Sequence, residues 1–155
     1  MFNHADEEYK CPICLAIQGV ENDATWIKQA DIFYRDELVL GFISSKFIEG
    51  NEGHPLIVPI AHVENLYDLP SELGGRVLDL AKRTAIALKE IRTCDGVTTA
   101  QFNEPAGDQH AFHYHMHVIP RFTGDNFHEA LWKTRKSEPE ERVEYARKLR
   151  EWFAK

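Results

Sequence analysis

Histidine stands at every second position from His113 to His117, within the stretch Gln-His-Ala-Phe-His-Tyr-His-Met-His-Val-Ile-Pro-Arg that runs from Gln109 to Arg121. Near neutral pH each imidazole can donate, accept, attack phosphorus or ligate a metal. Tyr114, Met116, Val118 and Ile119 are good strand formers, and a strand's period of two puts the three imidazoles on one face. On that spacing His113 and His117 lie about 13 Å apart at Cα, too far for one metal to take all three. Two chemistries stay open. A neutral imidazole can attack phosphorus and form a phosphoramidate that water later cleaves. Alternatively, a His-x-His pair with a third ligand can hold a catalytic metal and activate water. The first needs donors for the phosphate oxygens, and His117, Gln109 and Asn103 are within reach; the second wants Asp or Glu beside the pair, and the strand has none. A second group of interest is Cys11-Pro-Ile-Cys14, which in a reducing compartment reads as a metal hook or redox pair but supplies only two of the four ligands of a structural site. Cys94 reads as a small buried thiol.

These groups must be held by a fold that the remaining pattern outlines. A short helix is expected over residues 7–18, then strands over 30–35 and 38–43 forming a hairpin across Asp36-Glu37. The segment 44–52 reads as loop, and the proline-bounded apolar run 55–60 as a buried strand. Leu73, Val77, Leu80, Ala81, Thr84, Leu88 and Ile91 recur at spacings of three and four, which predicts a long helix capped by Asp68 or Ser71. Residues 97–103 form another strand, 104–108 a loop, and the histidine strand follows. Beyond Gly124 the pattern predicts a helical turn or two over 127–134. A capping box then opens at Ser137-Glu138-Pro139-Glu140, leading into a terminal helix whose buried stripe is Val143, Ala146, Leu149 and Phe153. Two main helices and five strands with short connections imply an α+β domain with a mainly antiparallel five-stranded sheet, spanning 1–124, with 125–155 as its C-terminal helical extension.

Composition narrows the function classes. The chain has 155 residues, 43% apolar and 28% charged, with a net charge of −7. That balance argues against a broad nucleic-acid surface, which needs many cations, but leaves room for a small anion in a locally positive pocket. The first residues lack a basic segment followed by an apolar run, and no stretch approaches the roughly 18 apolar residues of a membrane span. A cytoplasmic protein with neither membrane nor nucleic-acid polymer as partner is therefore expected.

The motifs together resemble the histidine triad (HIT) family of nucleotide hydrolases and transferases. His113-Tyr-His115-Met-His117-Val-Ile matches the family's His-φ-His-φ-His-φ-φ signature, φ being apolar or aromatic. Gly53-His54-Pro-Leu-Ile-Val-Pro and His62-Val-Glu-Asn-Leu resemble its upstream segments, in the same order. The resemblance implies that His115 is the nucleophile attacking the α-phosphorus of a nucleotide to form a nucleotidyl-histidine. His117 would bond the phosphate or leaving-group oxygen, Gln109 and Asn103 would help hold the phosphate, and His54 would complete the cluster. It further implies a zinc-binding branch in which Cys11, Cys14, His62 and His113 hold a structural zinc, with no catalytic metal required, and a homodimer across which the sheet continues. The implied substrates are nucleoside phosphoramidates or dinucleoside polyphosphates. The alternatives are a nucleotide-binding regulatory protein with little turnover, or a metal-dependent hydrolase using His113 and His115. His110 reads as packing or solvent-facing, and the tail aromatics Phe127, Trp132, Trp152 and Phe153 as packing or dimer contacts.

Overall fold

The computed structural model describes residues 2–155. Its strands are β1 (Ile32–Arg35), β2 (Val39–Ile43), β3 (Lys46–Ile48), β4 (Pro55–Pro59), β5 (Gly96–Gln101), β6 (Met116–Arg121) and β7 (Thr134–Lys136). The helices are α1 (Pro12–Ile17), α2 (Ser71–Arg92), α3 (Phe127–Ala130) and α4 (Pro139–Phe153). Five strands form one sheet in the order β1-β2-β4-β6-β5, antiparallel at every neighbouring pair. The expected α+β architecture is thus present. The expected hairpin is β1–β2, and its tight turn is built by Asp36, whose carboxylate accepts from the backbone N–H groups of Leu38 and Val39 in place of a glycine turn.

Packing explains which elements sit where. Strands β2 and β4 are buried along their whole length, as expected of central strands covered on both faces. Val77, Leu80, Ala81 and Leu88 of α2 and Ala146 and Leu149 of α4 join Val39, Ile43, Ile57 and Val118 in one core. Cys11, Ile13 and Ala16 around α1 close over Leu40, Phe42, Leu56 and Val58 on the other face.

Four local expectations are corrected. The segment 44–52 contains β3, which pairs with β7 in a separate two-stranded sheet; a partner nearly ninety residues away leaves no short-range signal. Helix α2 begins after Pro70 without a side-chain cap, so neither Asp68 nor Ser71 fills that role. The box before α4 is shifted by one residue: Glu141 accepts from the Glu138 N–H at 2.8 Å, while Ser137 instead donates its hydroxyl to the Ser45 carbonyl. With that shift the inward stripe of α4 includes Arg142, and Val143 is exposed.

Arg142 is the largest fully buried side chain among the described residues, and each of its three guanidinium nitrogens has an acceptor. It meets Asp31 at 2.9 Å, the Ser137 carbonyl at 2.8 Å and the Trp26 carbonyl at 2.8 Å. A buried guanidinium needs such a set of acceptors, since its desolvation otherwise outweighs any Coulombic gain.

Candidate functional site

The three histidines do not lie on one uninterrupted strand. Only His117 belongs to β6, where it sits opposite Leu56 of β4 and Ala100 of β5. The β4–β6 ladder ends at Ile57–Met116, because Pro59 further along β4 has no N–H to extend it. The Pro59 carbonyl instead accepts from His113 Nε2 at 2.9 Å, and the Tyr114 N–H turns to the Val63 carbonyl. This break separates His113 from the other two. His115 and His117 line a cavity of about 520 Å³ together with His54, which lies just before β4, whereas His113 is fully buried outside its lining.

Hydrogen bonds set the tautomers. His115 Nδ1 lies 2.7 Å from the His113 carbonyl, which can only accept; Nδ1 therefore carries the proton and Nε2 holds a free lone pair. His54 Nε2 lies 3.1 Å from His117 Nδ1, and His54 Nδ1 is buried without a partner. An orphaned lone pair costs less than an orphaned N–H, so His54 donates from Nε2 and His117 accepts at Nδ1. His117 Nε2 is then a donor. One lone pair and one N–H result, on neighbouring rings with centroids 5.2 Å apart.

All three rings are neutral at neutral pH. Burial first, then the Arg92 charge and the repulsion His54 would meet from a protonated His115, lowers His54 to about 3. Burial also lowers His115 and takes His117 well below the usual imidazole range. Neutrality keeps the His115 lone pair available for attack, as nucleophilic catalysis requires.

Gln109 and Asn103 do not line this cavity. Gln109 is buried; its amide donates to the Glu64 and Ala111 carbonyls at 2.6 and 3.1 Å, and its carbonyl accepts from the Glu104 N–H at 2.8 Å. Asn103 holds the Leu66 N–H at 2.7 Å and exchanges hydrogen bonds with Gln101. Both side chains brace the loops leading to the histidines. The cavity wall includes residues that the sequence did not single out: Trp26 and Lys46, and Thr134 from the segment after β6. Trp132, expected as a packing or dimer contact, also lines the cavity and is 63% exposed. His110 lies on the same wall.

A second cluster stands behind the first. Ligand atoms of Cys11, Cys14, His62 and His113 all lie within 4.8 Å of one another. His113 Nδ1 is 3.5 Å from both sulfurs, and His62 Nδ1 is 3.2 Å from the Cys14 sulfur. A zinc ion with ordinary bond lengths sets sulfur and nitrogen about 3.6 Å apart across a tetrahedral edge, so this donor set fits zinc. The Pro59 carbonyl fixes His113 with its Nδ1 lone pair toward the sulfurs, the outer-shell contact such ligands usually carry. Without a cation, burial and the neighbouring Cys11 push the Cys14 thiol up to about 12, and burial lowers His113 to about 4.

Comparison with known proteins gives a consistent picture. The sequence model of the HIT domain family matches residues 27–124. The protein named Protein hit from Bacillus subtilis is 37% identical over 102 residues, 65% of this chain and 68% of that one. Adenosine 5'-monophosphoramidase HNT1 of Saccharomyces cerevisiae is 37% identical over 70 residues, 45% of this chain and 42% of that one. Among solved structures, a zinc-bound histidine triad family protein from Mycobacterium smegmatis superposes with a TM-score of 0.73 at 30% identity, covering 94% of each chain.

Proposed function

The chain belongs to the HIT domain family, and from that premise we propose that it is a nucleotide hydrolase that cleaves at the α-phosphate through a nucleotidyl-histidine. The observation that carries this reading is His115, whose Nε2 lone pair is unengaged and faces the cavity beside the donor of His117. In the first step His115 Nε2 forms a bond to the α-phosphorus as the bond from phosphorus to the leaving oxygen or nitrogen breaks, and the leaving group departs with the bond's electron pair. In the second step water adds to phosphorus, the P–N bond breaks with its electron pair returning to His115 Nε2, and a nucleoside monophosphate, neutral His115 and one proton released to solvent result. His117 Nε2–H bonds a phosphate oxygen as charge develops, a form of preorganised electrostatic stabilisation. His54 acts by fixing the His117 tautomer. Gln109 and Asn103 act as positioning residues through the loop backbone. The yeast phosphoramidase relative supports this reaction class.

Cys11, Cys14, His62 and His113 would hold a structural zinc. Four protein ligands leave no open position for a reacting water, which argues against the metal-hydrolase alternative. The ion would tie α1 to the loop after β4 and to the main chain whose carbonyl accepts the hydrogen bond from His115 Nδ1. A homodimer belongs to the same reading. Arg150 of α4 bonds the Ile32 carbonyl at the β1 edge, leaving β5 as the edge open to a second copy.

The test is turnover of adenine and guanine dinucleoside polyphosphates and phosphoramidates, with mass spectrometry of the protein trapped during reaction. Release of nucleoside monophosphate with a nucleotidyl adduct on His115 is the expected result. Binding of these compounds without turnover or adduct would instead make the chain a nucleotide-binding protein.

A further inference from the structure

The small β3–β7 sheet carries an arrangement that protein stability alone disfavours. Lys46 and Lys136 face each other directly across the antiparallel pair, so their side chains leave the same face of the ribbon. Like charges in that position repel. Among the described residues neither lysine has a carboxylate partner, whereas Arg135, next to Lys136 and opposite Phe47, points to the other face and is neutralised by Glu141 at 2.7 Å. The chain as a whole carries −7, so this uncompensated positive spot runs against its overall charge.

The spot is also well placed. Lys46 lines the cavity that holds His54, His115 and His117. The Lys136 ammonium lies 4.6 Å from the ring centre of Trp26, another wall residue. Trp26 and Trp132, 42% and 63% exposed, stand at the rim where the cavity meets solvent. Unfavourable charge retained at a cavity mouth is the usual signature of stability given up for binding. Two ammonium groups suit successive phosphates, and exposed indoles offer faces on which a base can stack. The amine released from a phosphoramidate has no phosphates for this rim to hold. Among the described lining residues Lys46 and Asp108 are the fixed charges and offset each other, so Lys136, held over the Trp26 ring, tips the rim toward an anion.

We propose that Lys46, Lys136, Trp26 and Trp132 form a rim subsite for the phosphate chain and base of the leaving half of a dinucleoside polyphosphate, which makes that class the preferred substrate. This rests on the reading of His115 as nucleophile. The segment after Gly124 supplies Trp132 and Lys136, half of the subsite, so that segment takes part in substrate selection.

The decisive measurement is the ratio of kcat/KM for diadenosine tetraphosphate over that for adenosine 5'-phosphoramidate, in the full chain and in a Lys46→Ala/Lys136→Ala variant. The ratio is expected to fall about tenfold at low salt, through KM, with the loss shrinking as salt rises. A Lys46→Arg/Lys136→Arg variant should restore it, and Trp132→Ala should lower it. Removing the lysines relieves their repulsion and forfeits the contact of Lys136 with the Trp26 ring, two small and opposite effects, so the thermal midpoint should stay within a few degrees of that of the unaltered protein. A ratio unchanged within about twofold, or a parallel loss on both substrates, overturns the subsite. If the unaltered protein turns over neither compound, the hydrolase reading fails separately, and calorimetry then decides the subsite. It requires diadenosine tetraphosphate to bind about tenfold more tightly than adenosine monophosphate, with the advantage erased in the double alanine variant. Equal affinities, no binding, or an advantage that survives the variant would refute it.

Discussion

At the scale of single residues, the chemistry turns on where two protons sit. The His113 carbonyl holds the His115 proton on Nδ1, and His54 holds the His117 proton on Nε2. His115→Ala should therefore abolish both adduct and turnover, a loss of at least about a thousandfold by analogy with removal of other covalent nucleophiles, whereas ligand affinity should change little. His54→Ala frees the His117 tautomer; a fall in kcat with KM nearly constant would mark its positioning role. Because burial lowers His115, the acid limb of the pH–rate profile should lie below the ordinary imidazole value of about 6.5, measurable as kcat/KM across pH 4–8. The same burial bears on stability. His54 titrates at about 3 in the folded chain and at about 6.5 when unfolded, so below 6.5 the unfolded state binds more protons. Its contribution is present above pH 6.5 and lost as pH falls toward 3, about 2 kcal/mol of it by pH 5. Denaturant midpoints measured from pH 7 to 5 should show that decline, and His54→Phe should make it shallower by His54's share, the remainder coming from His113, His115 and His117.

At the scale of elements, the terminal helix is tied into the site's scaffold. Gly53, immediately before His54, has φ +72°, and a Cβ there would sit 2.5 Å from the Tyr145 ring of α4. A glycine that belongs to the histidine motif is thus required partly by a helix ninety residues later. Gly53→Ala should cost about 2 kcal/mol or more, read by chemical denaturation, because neither the backbone conformation nor the ring position tolerates a methyl group. Arg142 ties the same helix to Asp31 at the start of β1. Arg142→Met should destabilise by about 3–5 kcal/mol through the stranded Asp31 carboxylate, and Asp31→Leu in the same chain should recover part of that. Without this recovery, the loss would come from packing rather than charge. The helix's periodicity and its inward Ala146, Leu149 and Phe153 were legible from sequence, but Arg142 was not, because it takes an inward position that hydropathy assigns to solvent.

At the scale of the whole molecule, the two clusters share one piece of backbone. His113 contributes its ring to the four-donor set and its carbonyl to His115. Loading the apo protein with zinc should release protons, since the Cys14 thiol otherwise titrates at about 12, and should raise the thermal midpoint by more than about 5 °C. Calorimetry in buffers of different ionisation enthalpy counts those protons, and a metal-independent midpoint would refute the structural role. Turnover should persist in chelator for as long as the fold does. No helix of the described residues is long and apolar enough to cross a membrane.

The sequence by itself determined the parts whose signal is local. Alternating histidines, the Gly-His and Cys-x-x-Cys motifs, the period of α2 and the apolar runs of β2 and β4 each lie within a few turns or a single strand, and together they pointed to the family, the antiparallel sheet and both histidine clusters. Tertiary structure alone decided what depends on distant partners. Pro59 ended a ladder and thereby divided the histidine row. Backbone acceptors engaged Gln109, and Gln101 with the Leu66 N–H engaged Asn103, drawing both away from the cavity. Strand β7 found β3 across nearly ninety residues, bringing Lys136 opposite Lys46 and placing Trp132 on the wall of the reaction cavity. Such pairings are selected by the packing of the whole chain, since the free energy that favours them exists only once both partners have been brought together.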